Sequence, residues 1–332
     1  FPTRPCNNQM ALMIKRKLKV YPKFLVRPFC LITRYFKSLE CHVTGRPPLH
    51  DHDIKNHYEK FKNQISFTKE EKDRGGVLYK KINPFNKPLV LLIIRDSKYL
   101  KKKYKNNSFD YHNHRDDDIK RYKSLVEHII KQGYFVIRMG KIVNEKLYIK
   151  DENFLDYPFS NFNNDFMDIF LAYKCFMCIS NVTGFDALPT IFRKPILFFG
   201  SIPVGFMSTS SKKFINTTYD HYDKSLKRNL NLKEIFVNEL DCIFRAEDFK
   251  KKNIILKKTN PKIMKNVFDE TVKYIESNYN NIRTSKNLNN NFKNKYYFYL
   301  KKYSYKNSYN FHRKIRSYFP ISWLNEKKYL IK

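Results

Sequence analysis

The chain has 332 residues, of which 42% are hydrophobic and 16% aromatic, a composition that allows a large buried core and excludes wholesale disorder. Lys and Arg number 65 against 31 Asp and Glu, and the net charge of +34 attracts polyanions such as nucleic acid, anionic phospholipid or a phosphorylated small molecule. The lysine content also agrees with a coding sequence rich in A and T, and no apolar run approaches the roughly 18 residues of a membrane span.

The first part of the chain, residues 1–83, is predicted to be mainly helical and to be the remnant of an N-terminal domain with its linker. Residues 9–39 mix basic and apolar side chains, and Pro22 and Pro28 are expected to break any long helix there. Residues 41–57 are rich in histidine, aspartate and proline, which indicates a loop.

The stretch that follows this loop contains a signal for the start of a helix. Thr68 and Glu71 have the spacing of a capping box, which predicts a helix from residue 69 to about Lys81. The adjacent glycines Gly75 and Gly76 are the place where this helix could be interrupted.

Between residues 84 and 280 the sequence alternates between strand and helix patterns. Residues 89–94 form a continuous apolar run, which is typical of a strand buried on both faces, and further strands are predicted at 134–138, 175–180 and 195–199. Helical patterns cover 118–132, with Asp117 or Asp118 as the cap, then 165–174 and 187–192. This alternation predicts an α/β domain with a doubly wound parallel sheet.

The last segment, residues 281–332, interleaves aromatic and basic residues and has Glu326 as its one acidic residue. Such aromatic side chains could stack on nucleic-acid bases, or they could lie at a membrane interface. A C-terminal helical tail that packs back over the other domain accounts for them equally well, and packing is the interpretation we favour.

Basic and hydroxyl-bearing residues follow two of the predicted strands. Arg95 comes directly after the first strand, and the turn Ser180 to Gly184 follows the third. Since the carboxyl ends of parallel strands share one edge of a sheet, these groups are expected to converge and to bind a diphosphate. The alternative is that Arg95 pairs with Asp96 or caps a helix. Arg138, at the end of the second strand, is a further candidate at the same edge.

Several other motifs have weaker functional interpretations. The stretch "RDDD", Arg115 to Asp118, contains an Asp-x-Asp that could hold a divalent metal, but capping of the following helix is the simpler explanation. Asp168 could hold ribose hydroxyls from the first turn of its helix. Cys175 and Cys178 are expected to be buried, reduced thiols. The glycine-rich fingerprints of P-loop and dinucleotide-binding proteins are absent from the sequence.

Three stretches together resemble an uncharacterised family of bacterial proteins assigned as glycosyltransferases and linked to surface-polysaccharide genes. They are "LLIIRDSKYL", "RDDDIKRYKSLVEHIIKQGYFVIRMG" and "FLDYPFSNFNNDFMDIFLAYKCFMCISNVTGFDALPTIFRKPILFFG", and the ending "YFPISWLNEKKYLI" is similar to that family's closing motif. Two positions depart from the family pattern, which has His where this chain has Ile93 and Gly where it has Ser180. The architecture also resembles the donor domain of GT-B enzymes of the fucosyltransferase type.

This resemblance implies a donor domain at 84–280 that binds a nucleotide-diphospho-sugar, with Arg95 stabilising the leaving diphosphate. The residues that it implies for donor binding are Asp96, Tyr99, Arg138, Asp168, Ser180, Asn181, Thr183 and Gly184. It implies neither a bound metal nor a cofactor, because the nucleotide sugar is a substrate. The acceptor is expected to be a surface glycan, free or lipid-linked, and the protein to be cytoplasmic with peripheral contact to the anionic inner membrane.

Two other functions agree with the same sequence. A nucleic-acid-binding protein could use the basic, aromatic tail, although nucleic acid is not the partner we expect. A glycosyltransferase-like scaffold without activity is suggested by Ile93. The general base is not identified by the sequence, and the loop from His50 to His57 is one place that could supply it.

Overall fold

A parallel sheet of six strands forms the centre of the fold in the computed structural model. The structure describes residues 5–19, 21–33, 35–36, 38–39, 53, 56–103, 110–280, 286–303, 312 and 314–332. The strands of this sheet are β1 Leu89–Ile93, β2 Phe135–Arg138, β3 Phe154–Asp156, β4 Met177–Ser180, β5 Ile196–Phe198 and β6 Phe214–Asn216. Their order is β3-β2-β1-β4-β5-β6 and all neighbours are parallel, which is the order of a doubly wound, Rossmann-like α/β sheet.

The sheet is covered on both faces, as the continuous apolar run at 89–94 predicts. Alternate residues of β1 enter two different cores, Val90 and Leu92 on one side and Leu89, Leu91 and Ile93 on the other. All five of these side chains are buried. A strand with two buried faces has no polar positions, which is why β1 reads as an uninterrupted apolar sequence.

The helices are α1 Asn8–Lys15, α2 Lys23–Ile32, α3 His57–Lys60, α4 Lys69–Ile82, α5 Lys98–Lys103, α6 Lys123–Lys131, α7 Asp165–Lys174, α8 Ala187–Ile191, α9 Leu232–Val237, α10 Ala246–Lys251, α11 Pro261–Glu276, α12 Lys286–Tyr303 and α13 Ile321–Glu326. Helices α6 and α11 contribute to the core on one face of the sheet, and α4 and α7 contribute to the core on the other. The predicted α/β architecture with helices on both faces is therefore confirmed.

Two strands of the sheet were not predicted. Strands β3 and β6 have three residues each and end in a polar residue, Asp156 and Asn216, so neither forms an apolar run as long as that around β5. Asp156 ends β3 and pairs with Arg138 of β2. The second sheet, of antiparallel strands β7 Asp220–Asp223, β8 Arg228–Asn229 and β9 Ile254–Lys257, was missed as well.

The C-terminal tail packs on the sheet domain. Phe292, Tyr296 and Leu300 of α12 are fully buried in the core that covers one face of the sheet. Farther along, the backbone of Tyr318 bonds to β6 on both sides, its N–H to Phe214 O at 2.9 Å and its carbonyl to Asn216 N at 2.9 Å. Packing therefore accounts for these tail aromatics, and the tail also covers an edge of the sheet. The domain boundaries at 83 and 280 remain predictions.

The N-terminal segment divides into an attached helix and an exposed one. Helix α1 packs on α7, and Asn8 N–H donates to Asp165 Oδ2 at 2.8 Å. Helix α2 has no buried residue, and Pro28 lies inside it, so the expectation that Pro28 breaks the helix was wrong. Within the part of the chain that the structure describes, no helix combines the length and apolar character that crossing a bilayer requires.

Helix α4 continues through its two glycines, and we predict opposite effects of alanine at the two positions. A Cβ at Gly75 would lie 2.2 Å from the Phe170 ring, whereas a Cβ at Gly76 would meet no atom within 4 Å. Gly76→Ala should therefore raise the free energy of unfolding by about 0.5–1 kcal/mol, because glycine is costly within a helix. Gly75→Ala should lower it by about 1–3 kcal/mol through overpacking. Urea titration of the two variants measures both, and equal effects at the two sites would contradict this packing.

Candidate functional site

The candidate site lies where β1 and β4 end side by side in the middle of the sheet. The backbone N–H of Arg95, after β1, donates to Asn181 Oδ1 at 2.7 Å, after β4. Asn181 Nδ2 in turn donates to the carbonyl of Arg115 at 3.0 Å. Chain order reverses between these two strands, and the crevice outside such a switch point is the usual ligand position in doubly wound sheets. We use the name β1–β4 crevice for this region, which comprises Arg95, Arg115 and residues 181–184.

Arg115 is the residue of the crevice that the sequence interpretation overlooked. Its Nη2 donates to the Val182 carbonyl at 2.8 Å, so it connects the segment after β1 to the turn after β4. Its Nε is buried and has no hydrogen-bond partner among the described residues. Burial and the nearby charge of Arg95 lower the pKa of Arg115. Two guanidinium groups that repel each other in a partly buried place would both be stabilised by a bound anion.

The turn after β4 is strained, and its own side chains hold it. Val182 has φ of +66°, in the left-handed region that a β-branched residue rarely adopts. Ser180 Oγ accepts from Val182 N–H at 3.1 Å, and the Thr183 hydroxyl donates to Asp186 Oδ1 at 3.3 Å. The Ser180 and Thr183 hydroxyls, predicted to face a ligand, thus take part in the turn itself. Gly184 is exposed, with open space beside its Cα.

The cation of Arg95 is partly compensated by Asp116. Arg95 Nε lies 3.1 Å from Asp116 Oδ1 as an ion pair. This answers the alternative raised by the sequence, since the partner of Arg95 is Asp116 and not Asp96. Burial raises the pKa of Asp116, although Arg95 opposes that rise. Lys258 Nζ adds a second cation by donating to the Asp116 carbonyl at 2.6 Å.

Two cavities share Asp116 as a wall, and the smaller of them is also lined by Arg95. The smaller has a volume of about 160 Å³, and carboxylates predominate among its charged walls: Asp96, Asp116, Asp117, Asp118 and Glu145 against Arg95 and Arg138. Such a cavity repels phosphate. The larger has a volume of about 400 Å³ and is lined by apolar and basic side chains that include Phe249, Ile254, Leu256, Lys250 and Lys258.

Three predicted donor-binding residues have other partners. Asp96 accepts from the backbone N–H of Asn144 at 2.6 Å, and Tyr99 Oη accepts from Lys103 Nζ at 3.0 Å. Asp168 Oδ1 accepts from the Tyr157 hydroxyl at 2.8 Å, and burial raises the pKa of Asp168. Among the described residues, no hydrogen bond or ion pair joins these three side chains to Arg95 or Asn181, although Asp96 lines the smaller cavity together with Arg95.

Arg138, also predicted to bind the donor, lies in a buried ion pair. Its Nη1 donates to Asp156 Oδ1 at 2.9 Å and to the Glu145 carbonyl at 3.0 Å. Only 1% of its side chain and 5% of that of Asp156 are exposed. The second carboxylate oxygen of Asp156 accepts from Leu147 N–H at 2.7 Å, so the pair fastens the segment between β2 and β3.

Asp118 and the two cysteines have structural roles. Asp118 caps the helical segment that leads into α6, since its side chain accepts from Lys120 N–H. Cys175 and Cys178 are free and buried, and burial raises the pKa of the Cys175 thiol to about 12. Of the histidine-rich loop, residues 50–52 and 54–55 lie outside the described residues.

The buried carboxyl group of Asp186 makes stability depend on pH. Its pKa is raised to about 6 by burial, against hydrogen bonds from Ser180 and Thr183 and the charge of Arg115. The folded state therefore holds this proton more tightly than the unfolded chain. This contribution is complete below the ordinary value of 3.8 and is lost as pH rises through about 6.

We expect the wild-type chain to lose stability relative to Asp186→Asn across that interval, because the variant has no proton to release there. Urea unfolding of both proteins over a pH series measures the difference in unfolding free energy. Parallel pH profiles for the two proteins would show that Asp186 is not the group responsible.

No family model, no curated protein and no solved structure matches this chain.

Proposed function

We propose that this protein is a glycosyltransferase that moves a sugar from a nucleotide-diphospho-sugar to a glycan acceptor. The observation that carries the proposal is the pair of guanidinium groups, Arg95 and Arg115, at the β1–β4 switch point. Arg115 contacts the turn after β4 directly, and Asn181 links that turn to the backbone of Arg95. The planar guanidinium group of arginine can donate two parallel hydrogen bonds to the oxygen atoms of a diphosphate. The carboxyl ends of the strands at a switch point are also where doubly wound sheets bind nucleotides.

In this proposal, Arg95 and Arg115 stabilise the leaving group of the reaction. In the reaction, the bond between the sugar's anomeric carbon and the diphosphate oxygen breaks, and its electrons remain on the diphosphate. The acceptor hydroxyl forms the new bond and gives up its proton to a general base that is not assigned. Arg95 and Arg115 would neutralise the charge that develops on the diphosphate, so that no metal ion is required for this task.

We assign the nucleoside part of the donor to the larger cavity, whose wall includes Asp116, the ion-pair partner of Arg95. Its volume of about 400 Å³ is in the range of small-molecule sites, and its wall contains Phe249 and Leu256 for an apolar ring. Lys258 lies at its border with Asp116 and adds positive charge on the diphosphate side. The smaller, acidic cavity is unsuited to phosphate and receives no part of the donor in this proposal.

In this proposal the α/β domain is a GT-B-like donor domain, and residues 1–83 belong to the acceptor side. The acceptor is a surface glycan, free or lipid-linked, and the enzyme acts in the cytoplasm at the inner membrane face. The nucleic-acid alternative is less well supported, because the tail residues Phe292, Tyr296 and Trp323 are fully buried and cannot stack on bases. Donor binding without transfer would instead favour the inactive scaffold that Ile93 suggests.

The test is a titration of the full chain with a panel of nucleotide sugars and the matching nucleoside mono- and diphosphates, followed by calorimetry. We expect one diphospho-sugar to bind, its nucleoside diphosphate to compete, and the monophosphate to bind more weakly. No affinity for any member of the panel, together with salt-dependent binding of RNA, would refute the proposal in favour of a nucleic-acid-binding protein.

A further inference from the structure

Helix α2 stands out from the rest of the described chain because it is exposed on every side. None of its ten residues is buried. Its large apolar side chains are nevertheless uncovered, with 74% of Phe24, 68% of Phe29 and 45% of Ile32 accessible to solvent. Leu25, Phe29 and Ile32 follow one another at helical spacing and form one apolar strip. A patch of this kind on a protein surface marks a contact with something apolar.

The charge around α2 is of one sign. No Asp or Glu precedes Glu40 in the sequence, whereas Lys and Arg occur nine times before it. Lys23 and Arg27 lie one helical turn apart within α2, and Lys17 and Lys19 precede it as exposed residues. Apolar side chains therefore stand beside cations that have no acidic neighbour in this stretch of sequence.

We propose that α2 binds the surface of an anionic lipid bilayer. A helix of ten residues has a length of about 15 Å, half of the hydrocarbon thickness, so it can lie in the interface but cannot span it. Phe24, Leu25 and Phe29 enter the headgroup and acyl boundary, while Lys23 and Arg27 contact the lipid phosphates. Basic amphipathic helices bind membranes through this combination of apolar area and charge.

The two features together favour a bilayer over other partners of the same charge. An RNA backbone satisfies the cations but leaves the uncovered apolar side chains in water. An acidic protein surface could pair with the lysines through its carboxylates. It would not by that means cover the exposed apolar side chains of this helix. The inference does not depend on the proposed transferase activity, since no residue of α2 belongs to the β1–β4 crevice.

Vesicle flotation of the full chain tests this proposal, with phosphatidylcholine vesicles that contain or lack phosphatidylglycerol. We expect binding only to the anionic vesicles, and weaker binding at high salt because the lysine contribution is screened. Phe24→Ser combined with Phe29→Ser should lower the partition coefficient at least about tenfold. Replacing Lys19, Lys23 and Arg27 by glutamine should lower it to a similar extent.

Matched controls are Phe85→Ser with Phe298→Ser, which remove two exposed phenylalanines elsewhere, and Lys72→Gln with Lys80→Gln on α4. These variants should bind vesicles as the wild type does. Because α2 buries nothing, its variants should keep the wild-type circular dichroism spectrum and unfolding midpoint. Vesicle binding that survives the α2 phenylalanine variant would overturn the proposal, as would absence of binding. RNA binding lost in the same variants, without vesicle binding, would assign α2 to nucleic acid instead.

Discussion

Alanine at Arg95 or Arg115 is expected to weaken the binding of a nucleotide-diphospho-sugar about tenfold or more and to slow transfer by a further factor of about 10²–10³. The larger effect on transfer follows because the charge on the diphosphate is greatest as the sugar departs. Lysine at either position keeps the charge but loses the planar fork, so Arg95→Lys and Arg115→Lys should recover only part of the affinity. Calorimetric titration and a transfer assay measure the two effects separately.

A substitution at Asp116 provides a control that should change donor affinity in the opposite direction. Asp116 pairs with Arg95 and would repel a diphosphate, so Asp116→Asn should tighten binding by several-fold while Arg95→Ala weakens it. Arg228→Ala is the matched arginine control, since Arg228 pairs with Glu234 on the surface at 2.5 Å and borders neither cavity. If Arg95→Ala and Arg115→Ala bound the donor as tightly as Arg228→Ala does, the diphosphate would have to lie elsewhere and the crevice would lose its proposed role.

Much of the sheet could be predicted from the sequence because its strands are buried on both faces. Leu89–Ile93 has no polar residue, and the helix start at Thr68 is determined by contacts within four residues of one another. Such signals are local, so they can be recognised in the sequence without knowledge of the rest of the fold. Strand β3 gives no such signal, since it has three residues and two of them are only half-buried.

The candidate site was predicted in position but not in its partners. Arg95 and Asn181 follow strand ends, and strand ends of a parallel sheet share one edge whatever the details of packing. The ion pair of Arg95 with Asp116 and the bond from Arg115 to Val182 join segments far apart in the chain. Nothing in the local sequence distinguishes Arg115, which bonds to the turn after β4, from Arg138, which lies in a buried ion pair. Only the tertiary arrangement separates these two arginines.

Removing the Arg138 side chain is expected to destabilise the fold rather than to weaken donor binding. Arg138→Met leaves the Asp156 carboxylate buried without its cation, and breaking a buried pair in this way costs about 3–5 kcal/mol of unfolding free energy. Adding Asp156→Asn removes the uncompensated charge while an amide oxygen still accepts from Leu147 N–H. The double variant should therefore recover a substantial part of the lost stability, which urea titration of the single and double variants measures.

The double variant also decides between the structural and the ligand-binding role of this arginine. Because it restores folding without restoring the guanidinium, its affinity for the nucleotide sugar reports on direct contact alone. We expect that affinity to equal the wild-type value, in contrast to Arg95→Ala. Removal of the surface pair by Arg228→Ala should cost no more than about 1 kcal/mol, which sets the scale for an exposed pair. An affinity reduced tenfold in a well-folded double variant would instead return Arg138 to the donor site, because its guanidinium beside the acidic cavity is the cationic group that this variant lacks.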